Sequence, residues 1–153
     1  MPVKKLKQFL DSENVRYVSI IHSPAYTAQE VAASAHVTGK EMAKTVIVEL
    51  DGQMAMVVLP ADRKIVIQDL RDVTGHDKVK FASEEDFKKR FPDCETGAMP
   101  PFGNLYGMEV FVAESLTYRP DIAFNAGSHT EVIKMHYHDF ERLVQPKVLS
   151  FTT

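Results

Sequence analysis

Apolar residues recur at Val3, Leu6, Phe9 and Leu10, one face of a helix that the pattern ends near Asn14. The run "RYVSIIH" then reads as a strand. "TAQE", Thr27 to Glu30, has the form of a capping box: a Thr hydroxyl and a Glu carboxylate placed to satisfy the free amides of a helix start. The helix it opens carries Val31, Ala32 and Val37 and is expected to stop near Gly39. Two nearly continuous apolar runs follow, "KTVIVEL" from Lys44 and "QMAMVVLP" to Pro60. Asp51-Gly52 between them predicts a tight β-hairpin, and the lack of polar alternation predicts strands covered on both faces.

Further on, "VIQDLRDVTG" reads as a short helix closed by Gly75, "KVKFA" as a strand, and "SEEDFKKRF" as a helix opened by Ser83. Three more strands are expected in "MEVFVAESL", "DIAFNAG" and "EVIKMHY", then a last helix from about Asp139 ended by Pro146. The order of "PKVLSFTT" beyond it is left open by the pattern. Strands and helices intermingle without strict β-α alternation. The expected fold is therefore α+β: a central mixed, mostly antiparallel curved sheet flanked by helices, in one domain over residues 1–153.

Composition narrows the function. The net charge of −3 disfavours extensive, autonomous nucleic-acid binding, which needs a basic surplus, but leaves room for a local basic pocket. Cys94 is the one cysteine, so neither an internal disulfide nor a cysteine metal cluster can form. No secretory signal or bilayer-length apolar run is visible, which makes a cytoplasmic, reduced, soluble protein without membrane contact the expectation. Phosphate-binding glycine fingerprints and the G-x-S-x-G elbow are absent. Ser128 stands beside His129, and neighbours in a strand face opposite ways. His129, His136 and His138 could in principle approach a zinc ion, yet no H-E-x-x-H or telling carboxylate supports that reading, and no cofactor is expected.

Two features carry more chemistry. Lys44 opens a strand of almost unbroken apolar residues; it is either a solvated charge at a strand end or a point charge for a phosphate or a developing oxyanion. "ETGAMPPFGNLYG" combines three glycines with two adjacent prolines, so its backbone is both stiff and sharply bent. Gly97, Pro101 and Gly103 define G-x-x-x-P-x-G within it. The segment is either a plain corner or a substrate site, with main-chain groups for a small polar moiety and an apolar wall from Ala98 and Met99.

These pieces stand in a telling order. "HSPAYTAQE" from His22, the strand-initial lysine of "MAKTVIVEL", the loop "GAMPPFG" and the closing "FNAGSHTEVIKMHYHDFERLV" resemble the YbaK/ProX-like aminoacyl-tRNA deacylases, free-standing relatives of the editing domain inserted in bacterial prolyl-tRNA synthetase. The resemblance runs from about Val3 to Val144. It implies hydrolysis of the ester between a mischarged amino acid and the terminal ribose of a tRNA. It further implies that Lys44 lies near the terminal adenosine and its phosphate, and that Gly97, Pro101 and Gly103 hold the aminoacyl group. His129 takes the place of a histidine implicated in activity, with Asn125 at the same corner; His22 and Thr27 belong to the matched substrate-binding segment. The partners implied are the acceptor end of aminoacyl-tRNA and an aminoacyl-tRNA synthetase, and an exposed edge strand would allow a homodimer. From a different class, a non-catalytic module that keeps the fold to bind a ligand or regulate a partner is the alternative.

Overall fold

The computed structural model describes residues 4–153, so Val3, predicted on the first helical face, lies outside the described residues. Leu6 and Leu10 are the buried stripe of α1 (Lys4–Ser12), which stops before Asn14 turns left-handed at φ 56°. Strand β1 spans Tyr17–Ile21. Helix α2 (Ala28–Ser34) opens with the expected capping box: Thr27 accepts from Glu30 N, and Thr27 N donates back to the Glu30 carboxylate. It ends sooner than its apolar pattern implies, because His36 adopts φ 58°. The hairpin β2 (Ala43–Leu50) to β3 (Gln53–Pro60) turns on Asp51 and Gly52 at φ 50° and 88°, the positive pair that a tight two-residue turn requires.

Helix α3 (Ile67–Thr74) closes on left-handed Gly75, β4 covers Val79–Phe81, and α4 (Glu84–Phe87) starts at Ser83, which accepts from Asp86 N. Then come β5 (Glu109–Ala113), β6 (Asp121–Asn125), β7 (Glu131–His136), α5 (Tyr137–Val144) and β8 (Lys147–Leu149). Two expectations change here: the strand expected through Leu116 breaks at Glu114 into a 3-10 turn, and α5 begins at Tyr137 ahead of Asp139. The tail, whose order the pattern left open, is an ordered arm. Its β8 runs parallel to β5, and Phe151 is fully buried beneath α3.

The strands form two sheets, an antiparallel β1-β7-β6 and a mixed β4-β2-β3-β5-β8. A parallel bridge between Met42 and Ala123, with Ala123 N donating to Glu41 O at 3.0 Å, joins them. Alternation then assigns the faces. Ile47, Met56, Val58, Val112, Phe124 and Ile133 look inward to one core closed by α1, α5 and Phe102. On the outside, α3 and Phe151 cover Val48, Val57 and Phe111, whereas α2 covers Met42, Ala123 and Val132.

Glu131 is a buried carboxylate that joins α1 to the three-stranded sheet. Lys7 Nζ lies 2.7 Å from it, and the Ser19 hydroxyl of β1 donates to it. Burial alone would raise its pKa, but hydrogen bonds from Lys7 and Ser19 and the Lys7 charge outweigh that and hold the carboxyl below the ordinary range. A carboxyl that titrates lower in the folded chain adds stability above its unfolded pKa and loses it as pH falls through the folded value. Glu131→Gln should therefore destabilise the protein near neutral pH, with the deficit against wild type shrinking as pH falls from about 5 towards 3; urea midpoints across that range measure it.

Candidate active site

Lys44 emerges where the outer cover divides. Along β2 it shares a face with Met42, packed under α2, and with Val46, packed towards α3. Between those covers lies a cleft of about 210 Å³ lined by Thr27, Ala28, Gln29, Lys44, Ala61, Asp62, Arg63 and Lys64. Burial lowers the Lys44 pKa from that of a free lysine; the Lys64 charge lowers it further, and Asp62 opposes both. The segment carrying Asp62 to Lys64 is pinned by the C-terminal arm. Arg63 Nη1 donates to Thr153 O at 2.7 Å, and Thr153 N donates to Lys64 O at 3.0 Å. Lys44, Arg63 and Lys64 thus make a local basic pocket on a net acidic chain, and no local pattern marks the last two. "ADRK" after a strand looks like a solvated turn until the fold brings it to Lys44.

Asn125 belongs to the same outer face. Lys44 and Asn125 each lie two residues beyond the Met42–Ala123 bridge, in the same direction. His22 continues β1 past Ile21 by donating from N to Thr130 O at 2.9 Å. Its alternation places it with Ile20 and Val132 under the same cover. His22 and Asn125 are each 9% exposed.

The diproline loop is laced to the turn after β6. Glu95 N donates to Gly127 O at 2.8 Å, Gly127 N to Ala98 O at 2.9 Å, and His129 N to the Glu95 carboxylate at 2.7 Å. His129 Nε2 donates to Thr96 O at 3.0 Å. Gly97 is exposed at φ 88°, where a Cβ would stand 3.7 Å from His129 Cε1. The rest of the loop turns inward. Ala98, Met99, Pro100, Pro101 and Gly103 are buried, and Phe102 lies against Phe124 and Phe140. Gly103 has a packing reason: a Cβ there would fall 2.4 Å from Met108 O. The face this loop offers to a ligand is therefore its Glu95–Gly97 rim.

Lys44 and that rim do not line one cleft; the segment from His22 to Thr27 connects them. Thr27 walls the Lys44 cleft, the exposed Tyr26 ring packs 4.9 Å from the His129 ring, and Ala25 N donates to His129 O at 3.2 Å. No local sequence pattern marks Tyr26. Among the described residues no group of three His, Cys, Asp or Glu could hold a metal ion. His136 is instead paired with Asp121 at 2.7 Å at the far end of β7. Burial pushes the Cys94 thiol up to about 11, which keeps it protonated and a poor nucleophile. No helix among the described residues is long and apolar enough to cross a membrane.

Residues 22–143 match the family model of the aminoacyl-tRNA editing domain, and the chain belongs to that family. It is 29% identical over 142 residues to the prolyl-tRNA editing protein ProX of Acetoanaerobium sticklandii, spanning 89% of this chain and 86% of that one. With the multifunctional Ser/Thr-tRNA deacylase ProXp-y of Escherichia coli K12 it shares 23% identity over 154 residues, 97% of this chain and 91% of the relative. Two crystal structures carry the same fold. A hypothetical protein superposes with a TM-score of 0.87 at 19% identity, covering 98% of this chain and all of its own. A proposed trans-editing enzyme for prolyl-tRNA synthetase gives 0.83 at 14%, covering 99% and 97%.

The electrostatics of the cleft is testable without substrate. Lys64→Ala should raise the Lys44 pKa towards that of a free lysine, and Asp62→Asn should lower it further. NMR titration of the Lys44 side-chain methylene signals reads both shifts.

Proposed function

We propose that this protein is a trans-editing hydrolase that cleaves the ester joining a mischarged amino acid to the 3′ end of a tRNA. The observation that carries the reading is the half-buried Lys44 in a basic cleft, on the same outer face as Asn125 and His22, in a chain of the editing-domain family. The cleft has room for a phosphate and part of a ribose, with Lys44, Arg63 and Lys64 as counter-charges. Tyr26, exposed beside it, offers a ring on which a terminal base can stack, an interaction typically contributing about 1–3 kcal/mol. The ester extends from there towards Gly97 and His129.

An aminoacyl ester is already activated, so no strong nucleophile is needed. Holding the ester, a water and the neighbouring ribose hydroxyl in register supplies much of the acceleration. Lys44 adds a fixed positive charge that holds the terminal phosphate and so keeps the ester in that register. The hydrogen bonds joining residues 95–98 to residues 127–129 hold the rim still, which suits discrimination among small amino acids, where one methylene is worth only about 1–3 kcal/mol. The basic patch is confined to one cleft on a chain of net charge −3, so the enzyme grips an acceptor end and leaves wider tRNA contact to a synthetase.

Deacylation of alanyl-, cysteinyl-, seryl- and prolyl-tRNAs tests the proposal. At least one should be hydrolysed well above its spontaneous rate, and Lys44→Ala, which frees the phosphate and misplaces the ester, should lower kcat/KM for it by about 100-fold. If none turns over, the fold serves a binding or regulatory module instead.

A further inference from the structure

Strand β1 leaves one side of its backbone unused. His22 N donates to Thr130 O, and the β1–β7 register sets those two residues opposite each other. Val18, Ile20 and His22 therefore turn their main-chain groups towards β7. The next ladder agrees in phase: Ala126 N donates to Glu131 O, which turns Glu131, Ile133 and Met135 towards β6. The N–H and C=O groups of Tyr17, Ser19 and Ile21 thus point away from the sheet, and no strand among the described residues pairs with them.

Natural sheets guard such an edge with a charge, a proline, a bulge or a covering segment. The sequence YVSII of β1 holds no charge and no proline, and its register with β7 runs unbroken. Nor is the edge covered, since Val18 is 59% exposed and Ile21 72%. The outermost strands of the other sheet, β4 and β8, are three residues each.

A second copy of the same strand fits this edge. Antiparallel pairing about a two-fold axis at Ser19 sets Ser19 against Ser19, Tyr17 against Ile21 and Val18 against Ile20. Every outward residue then meets an outward residue, and each free N–H and C=O gains a partner. Sliding by one residue would oppose outward groups to inward ones, and sliding by two would leave one end unpaired. The side chains suit the same register: an aromatic faces a β-branched residue, and a β-branched residue faces another. No charges are opposed within it. Glu131, to which the Ser19 hydroxyl donates, is already neutralised by Lys7 of its own copy at 2.7 Å. Within this sequence only residues 1–3 lie outside those described, too few to fill five positions.

We propose that the free edge of β1 is a homodimer interface, at which two copies join edge to edge into one continuous antiparallel sheet, three strands from each. The inference goes beyond the editing reading and does not depend on it. Opposed residues of an antiparallel ladder project to the same face, so both α2 helices and both Lys44 clefts stand on one side of the joined sheet. Both α1 helices stand on the other. A five-residue ladder is smaller than the about 1,200–2,000 Å² buried in stable complexes, so the expected dissociation constant is micromolar.

Sedimentation equilibrium from low to several hundred micromolar protein tests the interface. The wild type should pass from monomer to dimer across that range. Ile21→Pro removes an outward N–H and no bond to β7, and Ile21→Lys places a charge against Tyr17 of the other copy. Each should weaken dimerisation by about tenfold or more, with urea midpoints close to the wild type's. A monomer at every concentration overturns the inference, and so does a dimer that neither variant weakens. Disulfide formation in a Cys94→Ser background reads the register. Val18→Cys mixed with Ile20→Cys should give the mixed disulfide, because opposed residues of a non-hydrogen-bonded pair lie about 4.5 Å apart at Cα. Either variant alone should give little, its two copies being diagonal neighbours about 7–8 Å apart. Equal yields from the mixture and from each variant alone overturn the pairing.

Discussion

The main-chain link between Met42 and Ala123 is the contact on which the candidate site depends. It sets the opening residues of β2 beside β6, so two sheets of different topology share one inner core and one outer surface. Because side chains alternate along a strand, that single register decides what the outer surface presents. Met42 and Ala123 go under α2, Val48 and Val57 go under α3, and Lys44 falls in the seam between them. A slip of one residue would turn Lys44 into the core and Ala43 into the cleft.

The two parts of the candidate site are held separately: the basic cleft by the C-terminal arm, through Thr153 on Arg63 and Lys64, and the Gly97–His129 rim by the hydrogen bonds that join Glu95 and Ala98 to Gly127 and His129. The two ends are thus fixed by parts of the chain remote from each other in sequence, with His22 to Thr27 spanning the gap. The buried portion of the diproline loop anchors this arrangement. Phe102, packed against Phe124 and Phe140, holds the loop in the core, and the exposed rim is what remains for a ligand.

Features with a local physical cause were legible in the sequence. The positive φ angles of Asp51 and Gly52, the reciprocal caps of Thr27 and Glu30, and the left-handed stop at Gly75 each follow from the residues at the spot. What escaped depends on pairing. Strand β8 has little propensity of its own and forms because β5 offers a parallel edge and Phe151 a place in the core. Arg63 and Lys64 look like ordinary turn charges until the hairpin and the C-terminal arm bring them to Lys44. The burial of Ala98, Met99 and Pro101 was hidden for the same reason: proline and glycine signal stiffness but not which side of the loop faces solvent.

The central claim is spatial: the end of an aminoacylated tRNA spans from the Lys44 cleft to the rim at Gly97 and His129. Titrating the 15N-labelled protein with a non-hydrolysable amide-linked aminoacyl-adenosine monophosphate and mapping amide shifts tests it most directly. The account predicts perturbations at Tyr26 to Gln29, Lys44, Asp62 to Lys64, Glu95 to Gly97 and His129, all from one binding event. Shifts confined to the opposite end of the three-stranded sheet, around Arg16, Val18 and His136, or at only one of the two ends, would contradict it.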